Sequence, residues 1–197
     1  LQFALFTPLF RNHSADGTRR QELYQFDNLD KTAEMIKIRY SLIPYLYSEF
    51  LKAVLNNEML FRPVSFDFPE DKDAQQTEDQ LFLGNEIMIA PIYKQNAHGR
   101  YVYLPEEMML VRMKKYNDYE TEILPSGHHF VRAELDELVF FIRKGKSIPM
   151  CEPAVNTRDI DYDSLSLVGY SGAGYELYKD NGISPRPEES LEVISLK

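Results

Sequence analysis

The sequence predicts a chain that is α/β at its start and all-β thereafter: the last strand–helix unit of a (β/α)8 barrel, followed by antiparallel β-sandwich domains. Three observations carry this. The first ten residues, LQFALFTPLF, are almost unbroken apolar sequence and end on Arg11-Asn12-His13, the way a buried parallel strand delivers polar residues at its C-terminal end. A long stretch of helical periodicity starts at Asp30. After Asn57, short alternating segments separated by turn residues replace it, the pattern of an antiparallel sandwich.

One strand–helix pair cannot close a parallel sheet, so the other barrel strands are expected upstream. A start at Leu1 rather than Met agrees with residues preceding this segment. The helix is the clearest element. Ile36, Tyr40, Ile43, Tyr47, Phe50 and Val54 recur at spacings of three and four, which places them on one face expected to pack into a core. Asp30 is the expected N-cap, Glu34 suits the first turn, and Asn56-Asn57 ends about seven turns. Pro44 removes one backbone hydrogen bond mid-helix, but the apolar stripe keeps its register on both sides, so one helix is expected.

Strands are expected near 61–68, 87–92, 101–104, 119–124, 128–135 and 138–143, and again near 165–170 and 175–178, with Asp180-Asn181-Gly182 as a turn. The run from Ser184 to Glu189 reads as a loose connection. The expected division is 1–60 as the end of the barrel, 61–149 as a proximal β-sandwich and 150–197 as the start of a distal β domain.

Composition removes several functions. Thirty-one acidic against 22 basic residues give a net charge of −9, which repels phosphate backbones, so no nucleic-acid partner is expected. The densest basic run, Arg143-Lys144-Gly145-Lys146, reads as a solvated turn. No apolar run approaches the roughly 20 residues of a membrane helix, and no membrane partner is expected. Cys151 is alone and the four histidines are scattered, which excludes an internal disulfide and gives no zinc spacing. No secretory signal is visible, which favours a cytoplasmic location, and a homo-oligomer is left open.

Several strings in fixed order carry a resemblance. They are Phe6-Thr7-Pro8-Leu9-Phe10-Arg11-Asn12-His13 with Glu22 shortly after; Ile38-Arg39-Tyr40 through Pro44-Tyr45-Leu46-Tyr47; Phe61-Arg62-Pro63-Val64; and Phe68-Pro69-Glu70-Asp71. Gln80 through Glu86, Met88-Ile89-Ala90-Pro91-Ile92, Tyr103-Leu104-Pro105 and Phe140 through Pro149 follow in the same order. No single string is specific, but together they resemble glycoside hydrolase family 31, the retaining α-glucosidases and their relatives, which include α-xylosidases and α-glucan lyases. The resemblance implies hydrolysis of α-linked glucosides from oligosaccharide ends by two carboxylates, which in retaining enzymes stand about 5–5.5 Å apart. In the family both are aspartates on earlier barrel strands, so it implies no catalytic residue in this chain, no cofactor and no metal. As substrate-binding residues it implies His13, on hydroxyls of the reacting sugar, and Arg11 beside it. It also implies a dependence on the N-terminal portion of the same enzyme, without which the chain is expected to be inactive and unstable. Leu23-Tyr24 stand where the family usually carries Pro-Trp, and Tyr24 or Phe26 can still offer a sugar an aromatic face.

A second reading makes the chain a non-catalytic β-sandwich module that binds carbohydrate or buttresses a partner domain; exposed aromatic rings would favour it. His128 and His129 are adjacent in an expected strand and so face opposite ways, which suits no shared metal. Asp16, Asp27 and Asp30 read as turn or cap residues, and Asp161 and Asp163 as solvated charges. Tyr40, Tyr45, Tyr47 and Phe50 read as core.

Overall fold

The computed structural model describes every residue except Asn12, Ser14 and Arg20. The helix α1 runs from Leu29 to Asn56. It begins after Asn28, which caps it without a side-chain hydrogen bond, so Asp30 lies in the first turn rather than at the cap. Asn57 ends it in the left-handed conformation, φ 55°, and donates its backbone N–H to Ala53 O, a use of Asn that its short polar side chain tolerates. Pro44 leaves the helix unbroken. Lacking an N–H, it cannot satisfy the carbonyl of Tyr40, and that oxygen lies 3.5 Å from Cys151 Sγ. Cys151 N donates to the next carbonyl, Ser41 O, at 3.1 Å.

Twelve strands follow the helix. Strands β1 (Phe61–Pro63), β2 (Leu81–Leu83), β3 (Ile87–Ile89), β5 (Met108–Lys115), β6 (Asp118–Leu124) and β8 (Leu138–Arg143) form one antiparallel sheet in the order β1-β2-β3-β8-β5-β6. Three two-stranded antiparallel sheets accompany it: β4 (Gly99–Leu104) with β7 (Gly127–Arg132), β9 (Ser147–Met150) with β10 (Ser166–Gly169), and β11 (Tyr175–Lys179) with β12 (Glu192–Leu196). Two short helices, α2 (Val64–Asp67) and α3 (Lys72–Gln76), lie between β1 and β2.

Side-chain alternation sorts the large sheet into two cores. Along β8, Leu138, Phe140 and Ile142 join Met35, Ile38, Leu42 and Tyr45 of α1, while Val139 and Phe141 join Val102, Leu104 and Val131 of the β4–β7 pair. The large sheet is therefore sandwiched between a helix and a second small sheet. The first of these cores also takes in Leu5, Phe6, Ile148, Met150, Tyr175 and Leu177, so it reaches from the N-terminal segment to β11.

Two expectations are corrected here. Residues 1–10 form no strand but a series of turns, with Leu5 N on Leu1 O at 3.3 Å and Phe6 N on Phe3 O at 3.1 Å. A parallel strand needs neighbouring strands to satisfy its backbone, and here the segment finds them within itself and from side chains. The buried face of α1 is also not the expected stripe: Met35, Ile38, Leu42, Tyr45 and Glu49 face inward, while Phe50 and Val54 are exposed. Tyr45 is core as expected, and Phe50 is not. Among the described residues no helix is long and apolar enough to cross a membrane.

Candidate functional site

The segment that leads into Arg11 and His13 is held by one side chain. Arg39, one helical turn past Met35, donates Nη1 to the carbonyls of Ala4 (3.2 Å), Leu5 (3.0 Å) and Thr7 (2.7 Å), and Nη2 to Pro8 O at 3.1 Å. A planar guanidinium with five donors and no acceptor suits this convergence of carbonyls. Burial lowers its pKa from the ordinary arginine value. Gln2 ties the same segment to the large sheet, donating to Glu137 O at 3.0 Å and accepting from Ile92 N at 2.9 Å. Leu5 and Phe6 are buried between these anchors, and Phe6 meets Phe140 edge-to-face at 5.9 Å.

Beyond the anchored segment, Arg11 and His13 are both exposed, and Arg11 Nη2 lies 3.1 Å from His13 Nδ1. Arginine can only donate, so Nδ1 accepts, and in the neutral ring the proton sits on Nε2. That leaves Nε2–H as a donor aimed away from the arginine. Asn12, the middle residue of this motif, lies outside the described residues. Glu22 takes a structural part: with Gln25 it forms a capping box on the short 3-10 turn Leu23–Gln25, and Gln25 Oε1 accepts from Glu22 N at 3.3 Å. Tyr24 is exposed, as is Phe26. Asp16, Asp27 and Asp30 are exposed, Asp30 in the first turn of α1.

Two charge clusters, the first buried and the second half-buried, were not anticipated from the sequence. In the first, Glu49 of α1 meets the Gly84-Asn85-Glu86 turn between β2 and β3. Glu49 Oε1 accepts from Lys52 Nζ (2.7 Å) and Tyr175 OH (2.6 Å), while Asn85 N reaches Glu49 Oε2 at 3.3 Å and Glu86 Oε2 at 3.2 Å. Burial and the neighbouring Glu49 carboxylate push the Glu86 carboxyl up to about 7. Ser48 Oγ accepts from Tyr178 N at 2.8 Å and, with the Tyr175 proton on Glu49, donates its own to Tyr175 OH at 2.9 Å, so helix, large sheet and β11 meet on two adjacent side chains.

In the second cluster, Arg62 grips Asp67 through Nε (2.9 Å) and Nη2 (3.0 Å), and Arg143 adds Nη1 to Asp67 Oδ2 at 2.7 Å and Nε to Glu106 Oε1 at 2.6 Å. Burial of the Asp67 carboxyl would raise its pKa, but the two guanidinium groups outweigh that and hold it below the usual carboxylate range. Arg143 also stacks on the Phe82 ring at 4.6 Å. The basic run at 143–146 is thus only partly the solvated turn expected: Lys144 is open to solvent, whereas Arg143 is a partner in a network. No spacing rule announces either cluster, because each is closed by contacts between residues 36 to 126 positions apart in sequence.

His128 and His129 do face differently: His128 Nε2 lies 3.4 Å from Asp73 Oδ2, and His129 Nε2 lies 2.8 Å from Pro125 O. Among the described residues no group of three histidine, cysteine or carboxylate side chains is placed to hold a metal. The Cys151 thiol is buried, which pushes its pKa up to about 11, so it is an inert packing group.

Comparison with known proteins accounts for the ordered motifs. Residues 1–49 match the glycosyl hydrolases family 31 TIM-barrel domain, and residues 57–148 match the glycosyl hydrolase family 31 C-terminal domain. Alpha-glucosidase 2 of Bacillus thermoamyloliquefaciens is 32% identical over 92% of this chain and 23% of its own length. The alpha-glucosidase of Aspergillus niger is 29% identical over 98% of this chain and 20% of its own length. The crystal structure of a family 31 alpha-xylosidase from Xanthomonas citri shares the fold, with a TM-score of 0.77 and 24% identity over 98% of this chain and 21% of that one. The chain therefore spans about a fifth of the length of the relatives it matches. With both of the family's domain models matched in order along it, the chain belongs to glycosyl hydrolase family 31.

Proposed function

We propose that the chain is the C-terminal portion of a retaining α-glucosidase that hydrolyses α-linked glucosides from oligosaccharide ends. The observation that carries this reading is the 32% identity, over nearly the whole chain, to a protein named alpha-glucosidase. In this reading residues 1–60 end the barrel, 61–149 form a proximal β domain and 150–197 begin a distal one. The two catalytic carboxylates come from the N-terminal portion of the same enzyme. One attacks the anomeric carbon as the other protonates the leaving oxygen, and water then resolves the glycosyl intermediate.

This chain contributes positioning. Nε2–H of His13 donates to a hydroxyl of the sugar in the reacting subsite, and Arg11 fixes the ring tautomer that makes Nε2 the donor. Arg39 supports both by holding the four carbonyls that precede them. The bond holds the sugar ring in place in the reacting subsite, which is a contribution of orientation.

His13→Ala in the complete enzyme should lower kcat/KM for p-nitrophenyl α-glucoside about 10 to 100-fold, equivalent to about 1–3 kcal/mol. Arg11→Ala should cost less, because the imidazole remains. Full activity in His13→Ala would remove His13 from the site. The same variants assayed on p-nitrophenyl α-xyloside separate a glucosidase from a xylosidase, since a relative named for each shares this fold.

A further inference from the structure

The outer face of the β4–β7 pair carries a row of aromatic rings, of which Tyr101 and Phe130 are open to solvent and Tyr103 is half-buried. Tyr101 and Phe130 stand directly opposite each other in the ladder, 73% and 54% exposed, with their rings edge-to-face at 5.2 Å. Tyr103 and His128 form the next pair on the same face, 4.9 Å apart. Tyr93, 64% exposed, closes the other side of a cavity of about 350 Å³ bounded by Asp79, Arg100, Tyr101 and Phe130. That volume is in the range of small-ligand pockets.

Two of the three charges of this cavity, Asp79 and Arg100, are matched to each other, and the third, Lys94, is exposed. Arg100 donates to the Asp79 side chain, to Asp79 O at 3.2 Å and to Pro91 O at 3.0 Å, and Asp79 Oδ2 accepts from Tyr93 OH at 2.9 Å. Burial alone would raise the Asp79 pKa, but Arg100 and Tyr93 hold it below the usual range, so the carboxylate stays ionised and paired. Arg100 lies 5.6 Å from the centre of the Tyr93 ring and braces it. Gly99 completes the wall, for a Cβ there would fall 3.0 Å from Phe130 Cζ and 2.5 Å from Val131 O. A pocket with ring faces, a paired Asp79–Arg100 wall and one exposed ammonium, Lys94, in its lining suits a ligand with one apolar face and many hydroxyls. A pyranose is such a ligand: its C–H face meets the negative face of an aromatic ring while its edge hydrogen-bonds to the polar rim.

We propose that Tyr93, Tyr101 and Phe130, set over the Asp79–Arg100 pair, form a carbohydrate-binding surface for a neutral α-glucan chain. The choice of α-glucan rests on the function proposed above; the choice of a sugar rests on the exposed ring faces of the cavity. The complete enzyme, run through native gels containing amylopectin, should be retarded. Tyr101→Ala/Phe130→Ala should weaken that binding about tenfold or more, the loss of two stacking faces. Tyr101→Phe should keep it, and kcat/KM for p-nitrophenyl α-glucoside should stay within about twofold of wild type. Tyr93→Ala, on the loop before β4, reads the same surface if the double variant does not fold.

Equal retardation of wild type and both alanine variants overturns the proposal. So does a fall in melting temperature and glucoside hydrolysis together in Tyr93→Ala, which would mean that another part of the enzyme packs on this face. Ring-dependent binding to amylopectin by an enzyme that hydrolyses no α-glucoside would support the surface and sink the activity reading instead.

Discussion

Gly84 shows how much one position can fix. Its φ of +62° is one that side chains with a Cβ rarely adopt, and a Cβ there would fall 2.2 Å from Glu49 Oε2. Gly84→Ala should therefore destabilise the protein by about 2–4 kcal/mol, read as a lower melting temperature, through strain and a displaced carboxylate together. Its neighbour Glu86 makes stability depend on pH. Held at about 7 against an ordinary 4.5, its carboxyl keeps a proton in the fold that the unfolded chain has lost. Stability from this group is complete below about pH 4.5 and declines as pH climbs to about 7. Glu86→Gln should flatten that decline, melting above wild type at pH 8 and alongside it at pH 4. Equal melting temperatures at pH 8 would contradict the assignment. Of these residues the sequence displayed His13, Arg11 and the Gly84-Asn85-Glu86 string as parts of motifs. It could not display that Glu49 meets that string, because the contact spans the fold rather than a turn.

At the scale of elements, α1 explains both a success and an error of sequence reading. Its extent is legible to within two residues at its start, since the periodicity and the Asn57 stop are local signals. Its buried face is not, because the helix is apolar on two faces about 100° apart, one through Met35, Ile38, Leu42 and Tyr45 and one through Ile36, Tyr40 and Ile43. Periodicity identifies both and ranks neither. Strand β5 escaped for a related reason: Met108 to Val111 are buried on both faces of the sheet, so no alternation survives to mark it. Strands β2, β9 and β12 also went unread, the first two being only three and four residues long. The N-terminal segment read as a strand because its apolar run is a strand's; the missing neighbours are not a local property. Arg39 takes their place, and Arg39→Met, which keeps the side-chain bulk, should leave four carbonyls without their charged donor. Amide exchange at Leu5, Phe6 and Thr7 should then accelerate by about tenfold or more, with α1 unaffected. Unchanged exchange in this segment would mean that Gln2 and the buried Leu5–Phe6 pair hold it without the guanidinium.

Across the whole molecule, one core runs from Leu5 and Phe6 through α1 and the large sheet to Tyr175 and Leu177, so the three regions named from sequence share their buried surface. Outside it, Leu1, Phe3, Leu9, Phe26, Leu29, Phe50 and Val54 lie exposed, at the N-terminal segment and along α1. The cost of leaving these residues in water fits a chain that works beside the N-terminal portion of its enzyme. The antiparallel sandwich was legible because turn residues punctuate it, whereas the seat of the chemistry was legible only through resemblance, since the proposed carboxylates lie outside these residues. The most direct test is the rate of p-nitrophenyl α-glucoside hydrolysis by the purified 197-residue chain, alone and after addition of the N-terminal barrel portion. No turnover alone and turnover with the complement is the expected result. Turnover by the chain alone would place a catalytic carboxylate pair within these residues and contradict the account.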